Sequence, residues 1–212
     1  MGEQLFRVIK ILWKSILTVL YPPKSKCLVC GYENTENLCY KCLKSITFCG
    51  EDELCVGYYK GALKELILSL KYKKDFQAGE ILASFLEEKI KKYKDEYYLT
   101  YIPIDKKRLK ERGFNQCEYI AKELSINTGI KTINTLKKIR ETKVQKTLKR
   151  EERIENLKDA FEIIDEKKVK GKKFILLDDV ITTGATLKEG VKVLKKHGAI
   201  EIKILTLAKS YI

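Results

Sequence analysis

The sequence predicts an α/β protein: a parallel sheet flanked by helices, with a leading helix and a small four-cysteine module ahead of it. Three observations predict this. Residues 172–207 alternate strand, helix and strand: the apolar run Phe174-Ile175-Leu176-Leu177, the amphipathic stretch Thr186–Lys196 closed by Gly198, and the β-prone run Ile200–Leu207. Elements of that type at that spacing form a βαβ unit, whose strands are parallel. Two C-x-x-C pairs, Cys27/Cys30 and Cys39/Cys42, stand eight residues apart. The 212 residues, 44% hydrophobic and 34% charged, suffice for one good core and a small accessory module.

Residues 3–20 read as a helix, with Gln4, Arg7, Lys10, Lys14 and Thr18 in one polar stripe and Phe6, Ile9, Trp13 and Ile16 among the apolar remainder. Its broad apolar face is expected to pack on the protein's own domain; a protein partner or a membrane surface is the other reading. The stretch is too short and too charged to span a bilayer, no signal peptide is evident, and Tyr21-Pro22-Pro23 ends it. The expected organisation is a helix over 1–22, a cysteine module over 23–50 and an α/β domain over 51–212. Within that domain, Gly61–Lys71 and Gln77–Lys92 read as helices, Tyr98–Ile104 as a strand and Asn115–Ser125 as an amphipathic helix. Residues 131–160 read as a charged excursion, partly strand and partly mobile.

The formal net charge is +14, which favours polyanions: nucleic acid, anionic lipid or phosphorylated ligands. A lysine-rich composition spread over every surface accounts for the same figure. Between residues 131 and 150, eight Lys or Arg face one acid, Glu141, for a net of +7. Lys143, Lys146 and Lys149 are the candidate nucleic-acid contacts, with Tyr40, Tyr72 or Phe114 as stacking partners. The competing reading of this segment is a mobile loop closing over a ligand. Seven cysteines, an odd number, argue against a disulfide framework and for a reducing compartment, so cytoplasm is expected.

The densest chemistry lies in Phe174-Ile175-Leu176-Leu177-Asp178-Asp179-Val180-Ile181-Thr182-Thr183-Gly184-Ala185-Thr186. Two carboxylates follow a buried strand at its C-terminal end, the edge where open α/β sheets bind ligands. A loop of small and hydroxylated residues then opens a helix, whose unpaired N–H groups and positive dipole end suit a phosphate. Acidic groups suit ribose hydroxyls or a bound Mg²⁺. The combination describes a sugar phosphate with free hydroxyls. No Gly-Lys-Thr follows, so this is not a Walker loop, and the carboxylates precede the glycine, so it is not a dinucleotide fingerprint.

The run resembles the phosphoribosyl pyrophosphate signature of type I phosphoribosyltransferases. By that resemblance Asp178 and Asp179 hold the ribose hydroxyls and carry the catalytic role, and Thr182, Thr183, Gly184, Ala185 and Thr186 hold the 5′-phosphate. Upstream, Tyr101–Ile104 followed by Arg108-Leu109-Lys110-Glu111-Arg112-Gly113-Phe114-Asn115-Gln116 is similar to the strand and pyrophosphate loop of the ComF family of DNA-uptake proteins. So are Arg140, Thr142, Gln145, Leu148, Arg153 and Asn156, the helical stretch Tyr58–Tyr72, and a cysteine module opened by Pro-Pro. Arg108 and Arg112 suit pyrophosphate as guanidinium forks. The resemblance implies a type I phosphoribosyltransferase fold, phosphoribosyl pyrophosphate and Mg²⁺ as ligands, and single-stranded DNA handling in natural transformation.

The paired C-x-x-C knuckles fit zinc, which takes four thiolates in a tetrahedron. Cys27, Cys30, Cys39 and Cys42 would hold it structurally, since four sulfurs leave no open position. A thioredoxin-like redox pair is the rival, and two close copies argue against it. Cys49 and Cys55 lack knuckle spacing, and Cys117 is expected to pack on its helix. The one histidine, His197, sits at a helix end, so no His-based triad or metal site can be built. Phosphoribosyl transfer needs none. An enzyme acting on an unknown acceptor therefore stands beside a DNA-handling protein that only senses the ligand. A structural partner of a DNA helicase, docking through the finger, is a third class.

Overall fold

The computed structural model describes residues 26–140 and 159–210. The helix expected over residues 1–22, Lys143, Lys146 and Lys149, and the stretch from Thr142 to Asn156 lie outside the described residues. In chain order the elements are α1 (Tyr40–Lys44), β1 (Cys55–Tyr58), α2 (Gly61–Leu68) continued by a π-helical turn (Ser69–Lys73), α3 (Phe76–Ile90), β2 (Tyr97–Tyr101), α4 (Lys106–Arg112), α5 (Gln116–Thr128), β3 (Leu136–Lys138), β4 (Phe161–Ile163), β5 (Lys173–Ile181), α6 (Ala185–Lys196) and β6 (Glu201–Lys209). Among the described residues, no helix is long and apolar enough to cross a membrane.

Four strands form one parallel sheet in the order β1-β6-β5-β2. β5 lies at its centre and is covered on both faces. Ile175 and Leu177 point into one layer with Leu63, Leu66, Leu82, Leu86, Ile120 and Leu124 of α2, α3 and α5. Phe174 and Leu176 point into the other, with Leu187 and Leu194 of α6 and with Leu136 and Phe161 of the antiparallel pair β3–β4. Burial on both faces is why β5 reads as a continuous apolar run rather than an alternating one.

Boundaries differ from the sequence reading in ways that matter for the site. The strand expected to stop at Leu177 runs on to Ile181, because β6 keeps pairing with it: Asp178 with Thr206, Val180 with Ala208 and Ile181 with Lys209. The acidic pair therefore sits inside the strand, and the loop shrinks to Thr182–Gly184. The strand expected over Tyr98–Ile104 ends at Tyr101. The helix expected from Gly61 to Lys71 ends at Leu68 and widens into the π turn. His197 caps α6, its Nδ1 2.9 Å from the carbonyl of Val193.

The cysteine module joins the main core rather than hanging from it. Cys27, Cys39, Cys42 and Ile46 belong to the same buried cluster as α2 and α3. Phe48 bridges Gly57, and the N–H of Tyr58 donates to Thr47 O at 2.9 Å. A Cβ on Gly57 would sit 2.5 Å from Thr47 O, so the chain crosses β1 where only glycine leaves room.

Candidate functional site

The C-terminal ends of β5 and β2 open into a cleft of roughly 590 Å³. Asp178 and Asp179 form its floor, both at 9% exposure. Thr182 and Thr186 line it at the start of α6. Gly184 is the N-cap there with φ 72°, a left-handed conformation that glycine adopts without cost, and Thr183 Oγ1 accepts the N–H of Ala185 at 3.4 Å. The first turn of α6 thus presents backbone donors, small side chains and hydroxyls together.

Cations line the walls. α4 begins at Asp105, whose side chain accepts the N–H of Arg108 at 2.9 Å, and carries Arg108, Glu111 and Arg112 along the cleft. The π turn contributes Lys71 and Tyr72, and β3 contributes Lys138. Lys138 is 3.4 Å from Asp105 Oδ2 and its side chain is only 6% exposed. Burial lowers its pKa, which the Asp105 carboxylate partly offsets. Phe161, Ile102, Pro103 and Ile104 supply an apolar side.

The two carboxylates differ electrostatically. For Asp178, burial first and then the charge of Asp179 raise the pKa from 3.8 to about 7. Burial would raise Asp179 as well, but the ammonium of Lys71 and the amide of Gln116, which donates to Oδ2 at 2.8 Å, hold it below the ordinary carboxylate range. Cys117, buried with Sγ 3.9 Å from Asp178 Oδ1, has its thiol pushed well up by burial and by both carboxylates. It packs on α5 as the sequence suggests, directly beneath the acidic pair.

In the module, the sulfurs of Cys27, Cys30, Cys39 and Cys42 all lie within 4.8 Å of one another. Burial opposes ionisation of Cys27, yet the backbone N–H groups of Cys30, Cys39 and Val29 draw it down to about 6. Cys42 moves the other way, raised by burial and by the three neighbouring thiols. Four thiolates so close repel strongly without a cation among them, and the all-sulfur donor set fits zinc.

The structure thus brings Asp178, Asp179, Thr182, Thr186, Arg108 and Arg112 to one cleft, with Thr183, Gly184 and Ala185 forming the adjoining helix start. Arg108 and Arg112 stand on a helix, where the sequence suggested a loop. The sequence reading gave no role to Lys71, Gln116, Lys138 or Asp105. Lys71 and Gln116 stood within the ComF-like blocks, which was the available signal; nothing local marks Lys138 as buried. Of the stacking candidates, Tyr72 lines the cleft, 59% exposed, under the guanidinium of Arg112. Phe114 packs edge-on against Phe76, and Tyr40 is exposed on the module.

Residues 112–210 match the phosphoribosyl transferase domain family. The chain is 32% identical to Competence protein ComFC of Streptococcus pneumoniae, over 84% of this chain and 82% of that protein. It is 31% identical to Competence protein F of Haemophilus influenzae, over 81% and 78%. It is 26% identical to DNA utilization protein YhgH of Escherichia coli K12, over 88% and 85%. Among solved structures, a purine phosphoribosyltransferase from Pyrococcus horikoshii aligns at 25% identity over 62% of this chain and 73% of that one, with a TM-score of 0.39. The extent of the match to ComFC and Competence protein F, together with the domain match, makes this chain a member of the ComF family, with a type I phosphoribosyltransferase fold behind a four-cysteine module.

Proposed function

We propose that the cleft binds phosphoribosyl pyrophosphate and that the protein works in DNA utilization, handling single-stranded DNA during natural transformation. One observation carries the ligand assignment: a buried acidic pair lies directly before a glycine-capped helix start, with Arg108 and Arg112 on the facing wall. The acidic residues suit the ribose hydroxyls, Thr182–Thr186 the 5′-phosphate, and the two guanidiniums the pyrophosphate. Mg²⁺ would enter with the ligand, held on its own phosphate oxygens, the hard donors it prefers. Structural zinc belongs to Cys27, Cys30, Cys39 and Cys42. The DNA role follows the names of the ComF and YhgH relatives and the basic segment holding Lys143, Lys146 and Lys149. Cytoplasmic residence agrees with the odd number of cysteines, four of them in metal-like spacing, and a competence DNA helicase is a fitting partner.

At a hundred times its Kd, the ligand should stabilise the protein by about 2.7 kcal/mol, roughly 5–10 °C in Tm for a chain of this size. Asp178→Asn with Asp179→Asn should abolish that shift while circular dichroism shows the fold retained. An undiminished shift in the double variant rejects the site. Single-stranded DNA binding should weaken with salt by about 0.7 log–log units per phosphate contact. Lys143→Glu, Lys146→Glu and Lys149→Glu together should flatten that slope on all sequences alike. If the triple variant instead loses ligand affinity and keeps DNA affinity, the segment serves the cleft.

A second reading is favoured by the apolar side of the cleft, formed by Ile102, Pro103, Ile104 and Phe161, which offers a place for an acceptor. There the protein is an active phosphoribosyltransferase, with Asp178 and Asp179 steadying the ribose as pyrophosphate leaves its C1. Acceptor-dependent release of pyrophosphate distinguishes it from a ligand sensor.

A further inference from the structure

The asymmetry of the acidic pair originates upstream, in the turn after α2. Ser69–Lys73 is π-helical, and Lys74 leaves it in a left-handed conformation with φ 55°. π turns widen a helix and shift the direction of the side chains beyond them. Leu70 stays in the core, and Lys71 enters the base of the cleft, where its side chain is 14% exposed. Its ammonium pairs with Asp179 Oδ2, to which Gln116 Nε2 also donates. Asp179 Oδ1 takes the N–H of Val180 at 2.7 Å, so both oxygens of Asp179 are engaged by the protein itself. Arg112 Nη1 donates to Gln116 Oε1 at 2.9 Å, and its guanidinium lies 5.2 Å from the ring centroid of Tyr72, next in sequence to Lys71. Lys71, Asp179, Gln116, Arg112 and Tyr72 thus close into a ring of contacts.

An ammonium taken out of water is costly unless it is paired. Here its partner is one of the two carboxylates at the ligand site, and the ring ties that carboxylate to the arginine on the facing wall. We propose that Lys71 is a positioning residue of the sugar-phosphate site, fixing Asp179 against Gln116 and leaving Asp178 as the carboxylate that meets the ribose hydroxyls. This rests on the phosphoribosyl pyrophosphate reading and divides between the two acids a role given to both.

Among the described residues, the charged and titratable groups around the pair include Lys71 from the π turn, Cys117 on α5, Arg112 on α4, Lys138 on β3 and Tyr59 beyond β1, with Tyr72, Lys74, Arg108 and Glu111 also lining the cleft. Of these, Lys71 is the cation bonded to Asp179. Its removal raises both carboxyl groups, so ligand binding that needs them ionised moves to higher pH. Each pKa unit of that rise weakens binding about tenfold at a pH below the shifted value.

The test is titration of the full-length protein with phosphoribosyl pyrophosphate and Mg²⁺ between pH 6 and 9. Lys71→Met should bind about tenfold or more weakly at pH 7 and regain affinity towards pH 9. Lys71→Arg should restore the wild-type profile, and Asp178→Asn should lose binding. Should Lys71→Met fail to fold, Lys71→Met with Asp179→Asn removes the unpaired charge, and it should bind weakly but measurably better than Asp178→Asn. Wild-type binding with an unchanged affinity and pH profile in Lys71→Met overturns the role of Lys71 alone. So does a double variant that binds no better than Asp178→Asn. A wild-type protein that does not bind overturns the ligand assignment, and this inference with it.

Discussion

The cysteine module and the cleft share one buried cluster but are assembled in opposite ways. The module takes its four sulfurs from residues 27–42, a tight turn and the start of α1, within a short reach of chain. The cleft takes its lining from residues between Tyr59 and Ser210, supplied by the sheet, four helical segments and the β3–β4 pair. The energetics are opposite too. Four thiols around a metal gain stability when the site fills. The cleft buries like charges, Asp178 against Asp179, and tolerates that because Lys71 and Gln116 hold one of them. A local donor set would thus contribute to stability on filling, whereas the cleft draws on stability built elsewhere.

The contrast can be broken most forcefully at the metal. Zinc should co-purify at one ion per chain, and Cys27→Ser or Cys42→Ser should release it. Structural zinc contributes on the order of 10 kcal/mol in small domains, so a fall in Tm of about 10 °C or more is expected even with the rest of the core intact. Elemental analysis and calorimetry check this; an unchanged Tm would mean the module does not support the fold. A smaller effect is expected at the seam between the regions. Gly57→Ala places a methyl against a backbone oxygen that cannot swing away, costing about 1–3 kcal/mol. Ligand affinity, measured well below the lowered Tm, should be unchanged, and a parallel loss of affinity would show that the regions are coupled.

A third effect should have the opposite sign. The pKa of Asp178 is raised in the folded state, from 3.8 to about 7, so the folded protein holds that proton more tightly than the unfolded chain. Stability therefore declines as pH rises from about 4 to 7 and levels off above. Asp178→Asn removes that decline. Above pH 7 the ligand-free variant should melt higher than the wild type, by roughly 2–4 °C for each kcal/mol relieved, with the advantage vanishing near pH 4. A variant that melts lower at every pH would show that the carboxylate contributes to stability rather than costing it.

What the sequence disclosed follows the same division. The module was legible because its four cysteines are neighbours, and the acidic pair and threonine loop because they follow a continuous apolar strand. β1 escaped notice: it is four residues long, and its strand identity comes from pairing Cys55 with the distant Thr206. α4, with the sequence Lys-Lys-Arg-Leu-Lys-Glu-Arg, has no apolar face to signal a helix, and its Leu109 remains exposed. It forms on the Asp105 cap and the stop at Gly113, with φ 81°. Lys71 and Lys138 resemble the many surface lysines, because their burial is decided by the elements that close over them.

The strand order has a consequence for how the nascent chain matures. β1 follows directly on the cysteine module, β5 carries the acidic pair, and between them lies β6, synthesised after both. At about 5–20 residues per second, β1 leaves the ribosome on the order of ten seconds before the strand it pairs with. Until then β5 has β2 on one side and an open edge on the other, and Val56 has no parallel partner beside it. Late pairing between distant segments is slow and exposes strand edges to wrong partners. Glu201–Lys209 is therefore expected to be the closing strand, joining β1 to β5 in register when it inserts between them.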